Sequence, residues 1–221
     1  MNHQFNGIMT DMLKPLVENI GTMLSGRKQL VKDVKFKQQR EENDYNRLME
    51  DTRLTARRIS AVVIDYVADG SDNSSTDTEK AVIRSVMQVL KGYEPTLQHM
   101  AEKVDVEESE IEKSIKSVAQ NMFEDHSISH GRLATFFAFC GVLSRYYVNS
   151  GRKGHVDRIK ETVTEYTEKE FCEWIVENGG WQKFEDYFPD PNSIEKFIFK
   201  TGILLSAISF ATLAFAHIIH K

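Results

Sequence analysis

Cysteine, basic runs and β-type alternation are all scarce in this chain, and each scarcity removes a class of protein. Its two cysteines, Cys140 and Cys172, both fall inside apolar helical patterns. Two isolated thiols make neither a disulfide framework nor a metal set, so reduced, buried cysteines are expected. The net charge is −5 and no long basic block occurs, which argues against a nucleic-acid partner. No glycine-rich phosphate loop, nucleophile in a known setting or paired acids in a cleft-like motif is present, so the chain is not read as an enzyme and no cofactor is expected. His126 and His130 have the spacing of a helical metal pair but no third ligand nearby, and His217 and His220 stand where a membrane helix would reach the interface. The N-terminus lacks the apolar core of a secretory signal, because Thr10, Asp11, Lys14 and Pro15 break the stretch from Ile8 to Val17. No strand pattern or internal repeat stands out. What remains is an all-α protein.

The helices are legible from their apolar spacing. Residues 1–50 mix short apolar clusters with a charged, weakly periodic run and form an extension of undetermined order. Thr52 to Asp69 places Leu54, Ile59, Val62, Val63, Tyr66 and Val67 on one broad face, and "GSDNSSTD" then makes a loop of small polar residues. Thr78 to Val104 carries the stripe Val82, Val86, Val89, Leu90, Tyr93, Leu97, Met100 and Val104, with Pro95 expected to kink or break it. Glu107 to Phe123 is amphipathic through Ile111, Ile115, Val118, Ala119 and Met122. After the loop "EDHSISHG", Leu133 to Leu143 runs 11 residues without a charge, too short to span a membrane and suited to a helix buried on every side. A further helix covers Gly154 to Val176.

Two segments need separate treatment. From Phe197 to Ile219, 23 residues contain a single charge, Lys200. As a helix this is about 34 Å long at ~1.5 Å per residue, enough for a hydrocarbon core of roughly 30 Å. A lone C-terminal span reads as a tail anchor contacting membrane lipid. The expected division is therefore an extension at 1–50, a helical domain at 51–192 and a tail anchor at 193–221. The second segment is "WIVENGGWQKF". Phe171, Trp174 and Ile175 share a helix face before it breaks, and Trp181, Phe184 and Phe188 share one after it. Asn178-Gly179-Gly180 supplies residues that tolerate left-handed backbone angles, so two amphipathic helices meet at a sharp elbow.

"SHGRLATFFAFCGVL" resembles the first homology motif of the Bcl-2 family of apoptosis regulators, usually Asn-Trp-Gly-Arg followed by an apolar run. "WIVENGGWQKF" resembles the second, usually Trp-Ile-x-x-x-Gly-Gly-Trp. Both stand in the family's order, and the resemblance covers residues 52–221. It implies a Bcl-2-like helical bundle around a central buried hydrophobic helix, with a C-terminal transmembrane helix. The departures are specific. Ser129-His130 replaces Asn-Trp, the preceding loop is one residue longer, and Val86-Met87 stand where the third motif has Gly-Asp.

By resemblance, a groove would bind the amphipathic Bcl-2 homology 3 (BH3) helix of pro-apoptotic relatives, its apolar anchors entering pockets. Val89, Tyr93, Leu97 and Met100 would form one wall, Val118 and Met122 the other, and Ala134 and Phe139 the floor. Arg132 would pair with the incoming helix's aspartate, serving the ligand more than the core. Gly131 would allow close backbone approach, and Trp181 would brace the far end. The implied function is an anti-apoptotic regulator at the mitochondrial outer membrane, facing the cytosol, with the endoplasmic reticulum membrane as the alternative. A pore-forming effector and a tail-anchored scaffold that has lost groove binding are the competing expectations, and a heterodimer with effector members is a further expected partnership.

Overall fold

The computed structural model describes residues 2–125 and 127–189, with only the backbone given over most of 2–31. The apolar stretch at 197–219 lies outside the described residues, as do His126, His217 and His220. Among the described residues no helix is long and apolar enough to cross a membrane, and no strand occurs. The chain divides into two units, Met1–Leu48 and Met49–Lys221. In the first, the backbone is helical from Asn2, and Val34, Phe36, Tyr45 and Leu48 are exposed.

The second unit is built around one helix. The first helix of the chain, α1 (Asn2–Asp69), ends at Gly70 with φ of 82°. On its predicted face Ile59, Val62, Val63 and Val67 are buried and Tyr66 half-buried, but Leu54 is 51% exposed. Five positions before Ile59, at about 100° per residue, Leu54 falls on the opposite side of the helix. Helix α2 (Asp77–Lys103) opens with a capping box in which Thr76 and Glu79 satisfy each other's backbone N–H groups. Glu79 is buried because Arg58 of α1 pairs with it and Ser75 N–H donates to it at 2.6 Å. Helix α2 is not broken at Pro95. Lys91, whose carbonyl loses its partner there, is on the solvent face, so water can replace the missing bond.

A 3₁₀ turn at Glu108–Glu110 leads into α3 (Ile111–Met122), and α4 (His130–Asn149) follows. Every residue of α4 from Gly131 to Ser144 is buried. Helix α2 lies along α4, and α5 (Gly154–Tyr166) packs on both α3 and α4. The single helix expected over Gly154–Val176 is instead α5, a π-turn at Thr167–Phe171, and α6 (Cys172–Glu177). Alternation of apolar residues cannot reveal one extra residue in a turn, because the flanking patterns stay helical. Both cysteines are free and buried, and burial pushes the Cys172 thiol up to about 11.

The elbow forms as its glycines predict. Gly179 and Gly180 have φ of 92° and 77°, and Gly180 N–H donates to the Ile175 carbonyl at 2.7 Å, closing α6 before α7 (Lys183–Tyr187) begins. Trp181 sits just past the bend, 2% exposed, and its indole N–H donates to the Thr52 carbonyl of α1 at 3.0 Å. Tyr147 makes a second tie, donating to the Val104 carbonyl at 2.9 Å.

Helix α1 comes close to α4 at Gly141, where an added Cβ would stand 2.6 Å from the Val67 Cβ. Val67 is branched at that atom and cannot swing away, so Gly141→Ala must part the two helices. It is expected to destabilise the protein by about 1–3 kcal/mol in chemical denaturation. Gly92→Ala, in α2 with nothing within 4 Å of the new Cβ, should be neutral or stabilising by up to ~1 kcal/mol. Equal stabilities for the two variants would show that α1 and α4 can separate at no cost.

Candidate partner-binding site

The site is organised by the N-terminus of α4. Ser129 caps that helix, its hydroxyl accepting from the Arg132 N–H at 3.2 Å, which is the usual work of a serine at this position. Arg132 then enters the protein: the residue is 4% exposed. A buried guanidinium needs a counter-charge, and Asp125 in the preceding loop supplies it. The Arg132 Nη2 donates to Asp125 Oδ2 at 2.9 Å, Nη1 pairs with Oδ1, and Nη1 also donates to the Ser127 carbonyl at 2.7 Å. The two-pronged contact is the strong form of an arginine–carboxylate pair. It holds the Asp125 carboxyl down at about 2 through the guanidinium hydrogen bonds.

Arg132 therefore does more for the protein itself than its sequence context suggests. It shapes the loop between α3 and α4 by holding Asp125 and the Ser127 carbonyl. Asp125 is the residue that sequence reasoning passed over. It lies seven positions before Arg132 in a run read only as loop, and an acid there acquires meaning once the loop folds back over the helix end.

The predicted wall residues come from the expected elements. Val89, Leu97 and Met100 are on α2, Val118 and Met122 on α3, and Ala134 and Phe139 on α4; all belong to one apolar cluster and none is more than 3% exposed. Gly131 is likewise buried at the start of α4. Tyr93, also on α2, is only half-buried. Helix α2 and helix α3 both lie against α4, with little direct packing on each other, and the expected wall and floor side chains are enclosed in the core rather than lining an open cleft. Trp181 belongs to the same cluster, but its closest ties are Thr52, Phe137 and Phe184, with the last two rings at 6.4 and 5.7 Å. It holds the elbow to α1.

His130 stands where the resembling motif has tryptophan. Its ring lies 5.1 Å from Trp174, 4.9 Å from Phe184 and 4.7 Å from Tyr187, so it fills an aromatic slot made by the elbow. Burial, then the charge of Lys183, lowers the imidazole to about 4. Among the described residues no three His, Cys, Asp or Glu side chains gather as a metal set.

A helix with a charge-free centre, enclosed by α2, α3 and α5 and with a buried arginine at its N-terminus, is the arrangement compared with known proteins. The family model for "Apoptosis regulator proteins, Bcl-2 family" matches residues 83–181. Residues 83–181 thus resemble a Bcl-2 family domain, and the relatives support a Bcl-2 family apoptosis regulator. It is 29% identical over 146 residues to cattle "Bcl-2-related protein A1", a match covering 64% of this chain and 78% of that protein. It is 35% identical over 72 residues to chicken "Apoptosis regulator Bcl-2", covering 33% of this chain and 30% of that one. With chicken "Bcl-2-like protein 1" the identity is 34% over 76 residues, or 34% of this chain and 33% of that protein. The match thus spans most of the first relative and about a third of the other two. Among solved structures, a zebrafish pro-survival protein, NRZ, in complex with Bad BH3 superposes with a TM-score of 0.58 at 20% identity, covering 64% of this chain and 97% of that one. Apo NRZ gives 0.54 at 25% identity, covering 64% and 93%. The all-helical Bcl-2-like fold read from the two motifs is the fold observed.

The low value at His130 has a signed consequence. Unfolded, the imidazole takes up its proton near 6.5; folded, it resists until about 4. Between those values the unfolded state binds more protons, so stability falls as pH drops through that window and is level above it. Melting temperature should decline from pH 6.5 to 4, and His130→Phe, which keeps a ring in the slot, should flatten the decline. An unchanged slope in the variant would mean that other groups carry it.

Proposed function

We propose that this protein is an anti-apoptotic member of its family that sequesters pro-apoptotic relatives by binding their BH3 helix over the floor of α4. The observation that supports this most directly is the Arg132–Asp125 pair. An aspartate of the same chain already satisfies the guanidinium, so the position accepts a carboxylate in two-pronged geometry. A ligand's aspartate would replace or share with Asp125 while apolar anchors enter between α2 and α3. The zebrafish protein NRZ, a pro-survival protein in complex with Bad BH3, supports the same reading.

Helix α2 points away from an effector role. At the two positions where a donor helix carries Gly-Asp, Val86 is fully buried and Met87 is 42% exposed. Valine adds bulk where close contact needs glycine, and methionine offers no carboxylate to a neighbour's arginine. Docking α2 into a sister molecule would therefore offer that molecule's Arg132 no carboxylate in exchange for Asp125, so the exchange proposed for a ligand's aspartate could not occur.

The test uses two substitutions in one loop, because Arg132 also supports the fold. Arg132→Gln should weaken binding of a BH3 peptide by ~30-fold or more, since removing one member of a buried charge pair costs about 2–5 kcal/mol. Asp125→Asn loosens the same loop but keeps the guanidinium, and should hold or strengthen binding. On dye-loaded liposomes the wild-type protein should suppress release caused by an effector and Arg132→Gln should not. Release driven by this protein alone would reverse the assignment to a pore-forming effector.

The location follows from Phe197 to Ile219, proposed as a tail anchor in the mitochondrial outer membrane. One inserted helix is effectively irreversible, unlike a surface amphipathic one. The full-length chain should resist alkaline extraction from membranes, and a chain ending at Asn192 should be released. Extraction of both would remove the anchor.

A further inference from the structure

Away from the floor of α4, a cavity of about 320 Å³ opens between the C-terminal end of α3, the following loop and the π-turn. Phe123, Ile128, Tyr166 and Phe171 line it, and Glu124 and Glu170 stand at its edge. The aromatic rings form one packed group: Phe123 and Phe171 centroids are 4.7 Å apart, and Tyr166 and Phe171 are 5.4 Å apart. Phe136 of α4 supports Phe123, Tyr166 and Phe171 from beneath, at 6.3, 5.9 and 5.9 Å.

The π-turn makes this wall. In a regular α-helix Tyr166 and Phe171, five residues apart, would point about 140° away from each other. The wider turn at Thr167–Phe171 brings position i+5 under position i, so the two rings share a side and Glu170 comes with them. Burial, and then the Glu170 carboxylate, raise the Tyr166 phenol above its ordinary value, which places that carboxylate within electrical reach of the ring.

Among the described residues no basic side chain lines the cavity, and both charges at its edge are negative. Lys169 pairs with Glu170 at 3.2 Å, but its own side chain is 83% exposed and lies outside the lining. Aromatic walls with a carboxylate rim suit a long cationic side chain: the methylene stem lies on the rings and the charge reaches the acids. The volume is at the small end for ligand pockets and fits one side chain rather than a whole small molecule. We propose that this cavity is a second partner site, receiving an arginine or lysine side chain from another protein, with Glu124 and Glu170 as its counter-charges. It is independent of the BH3 reading, because none of its lining residues belongs to the walls or floor described above.

The probe is N-acetyl-arginine methylamide, titrated into the full-length protein in detergent and followed by NMR of isotope-labelled tyrosine rings. The neutral isostere N-acetyl-citrulline methylamide and choline serve as comparisons. The Tyr166 ring signal should shift saturably with the arginine probe, at least about tenfold more tightly than with citrulline, and less at high salt. The double substitution Glu124→Gln with Glu170→Gln should abolish the shift while leaving the melting temperature near that of the wild type. Equal shifts from arginine and citrulline would make the cavity merely apolar and overturn the proposal. A stronger response to choline would assign it to a quaternary ammonium group, and no saturable shift at tens of millimolar would leave it without a cationic ligand; either result also overturns it.

Discussion

A helix with no polar face must be enclosed, and the folded unit from Met49 onward is arranged around that requirement. From Leu133 to Leu143 the fourth helix carries no charge, and Phe136, Phe137 and Phe139 are each fully buried. Burying one such ring is worth about 1.5–3 kcal/mol relative to leaving it in water, so water on any side of this segment would be unfavourable. Helices α1, α2, α3 and α5 and the elbow supply the enclosure. Gly141 shows how close it is, since the α4 backbone approaches Val67 nearer than any side chain would permit.

Enclosure confines charge to the ends of the helix, and Arg132 sits at one of them. There it meets two demands. The protein needs its guanidinium neutralised, which Asp125 does. The proposed binding site would need the same group to be available to a visiting acid. Exchange of one carboxylate for another answers both demands without leaving the arginine bare, which would cost far more than either paired state. On the proposed reading, the internal aspartate sets a threshold: a ligand would have to displace a partner that is already in place and tethered seven residues away.

The elbow and the π-turn perform a different task, that of placing aromatic rings. Trp181 is tied to α1 by its indole N–H, His130 is inserted among Trp174, Phe184 and Tyr187, and Phe171 is turned toward Tyr166. Replacing tryptophan by histidine at the head of α4 keeps the ring and adds a group that can be protonated, which makes this slot sensitive to acid. Ser129 preserves the other half of the altered motif because capping needs an oxygen acceptor at that place, and serine supplies one as asparagine does.

The helices, the elbow and the arginine were all legible along the chain, because each rests on local chemistry. Spacing of apolar residues sets the buried faces, paired glycines permit the left-handed bend, and a charge-free run longer than three turns can only be central. Leu54 and Pro95 show the limit of that reading. A residue near a stripe need not belong to it, and a proline on a solvent face leaves its helix intact because water takes the spare carbonyl. The partner of Arg132, the extra residue at Thr167–Phe171 and the aromatic setting of His130 were decided only by the tertiary structure. Each depends on which distant segments are brought together: a loop folded over a helix end, a turn widened where α5 meets α6, a ring enclosed by residues more than forty positions away. Local sequence specifies the shape and face of each element, whereas a buried charge or ring takes its meaning from neighbours that only folding assembles.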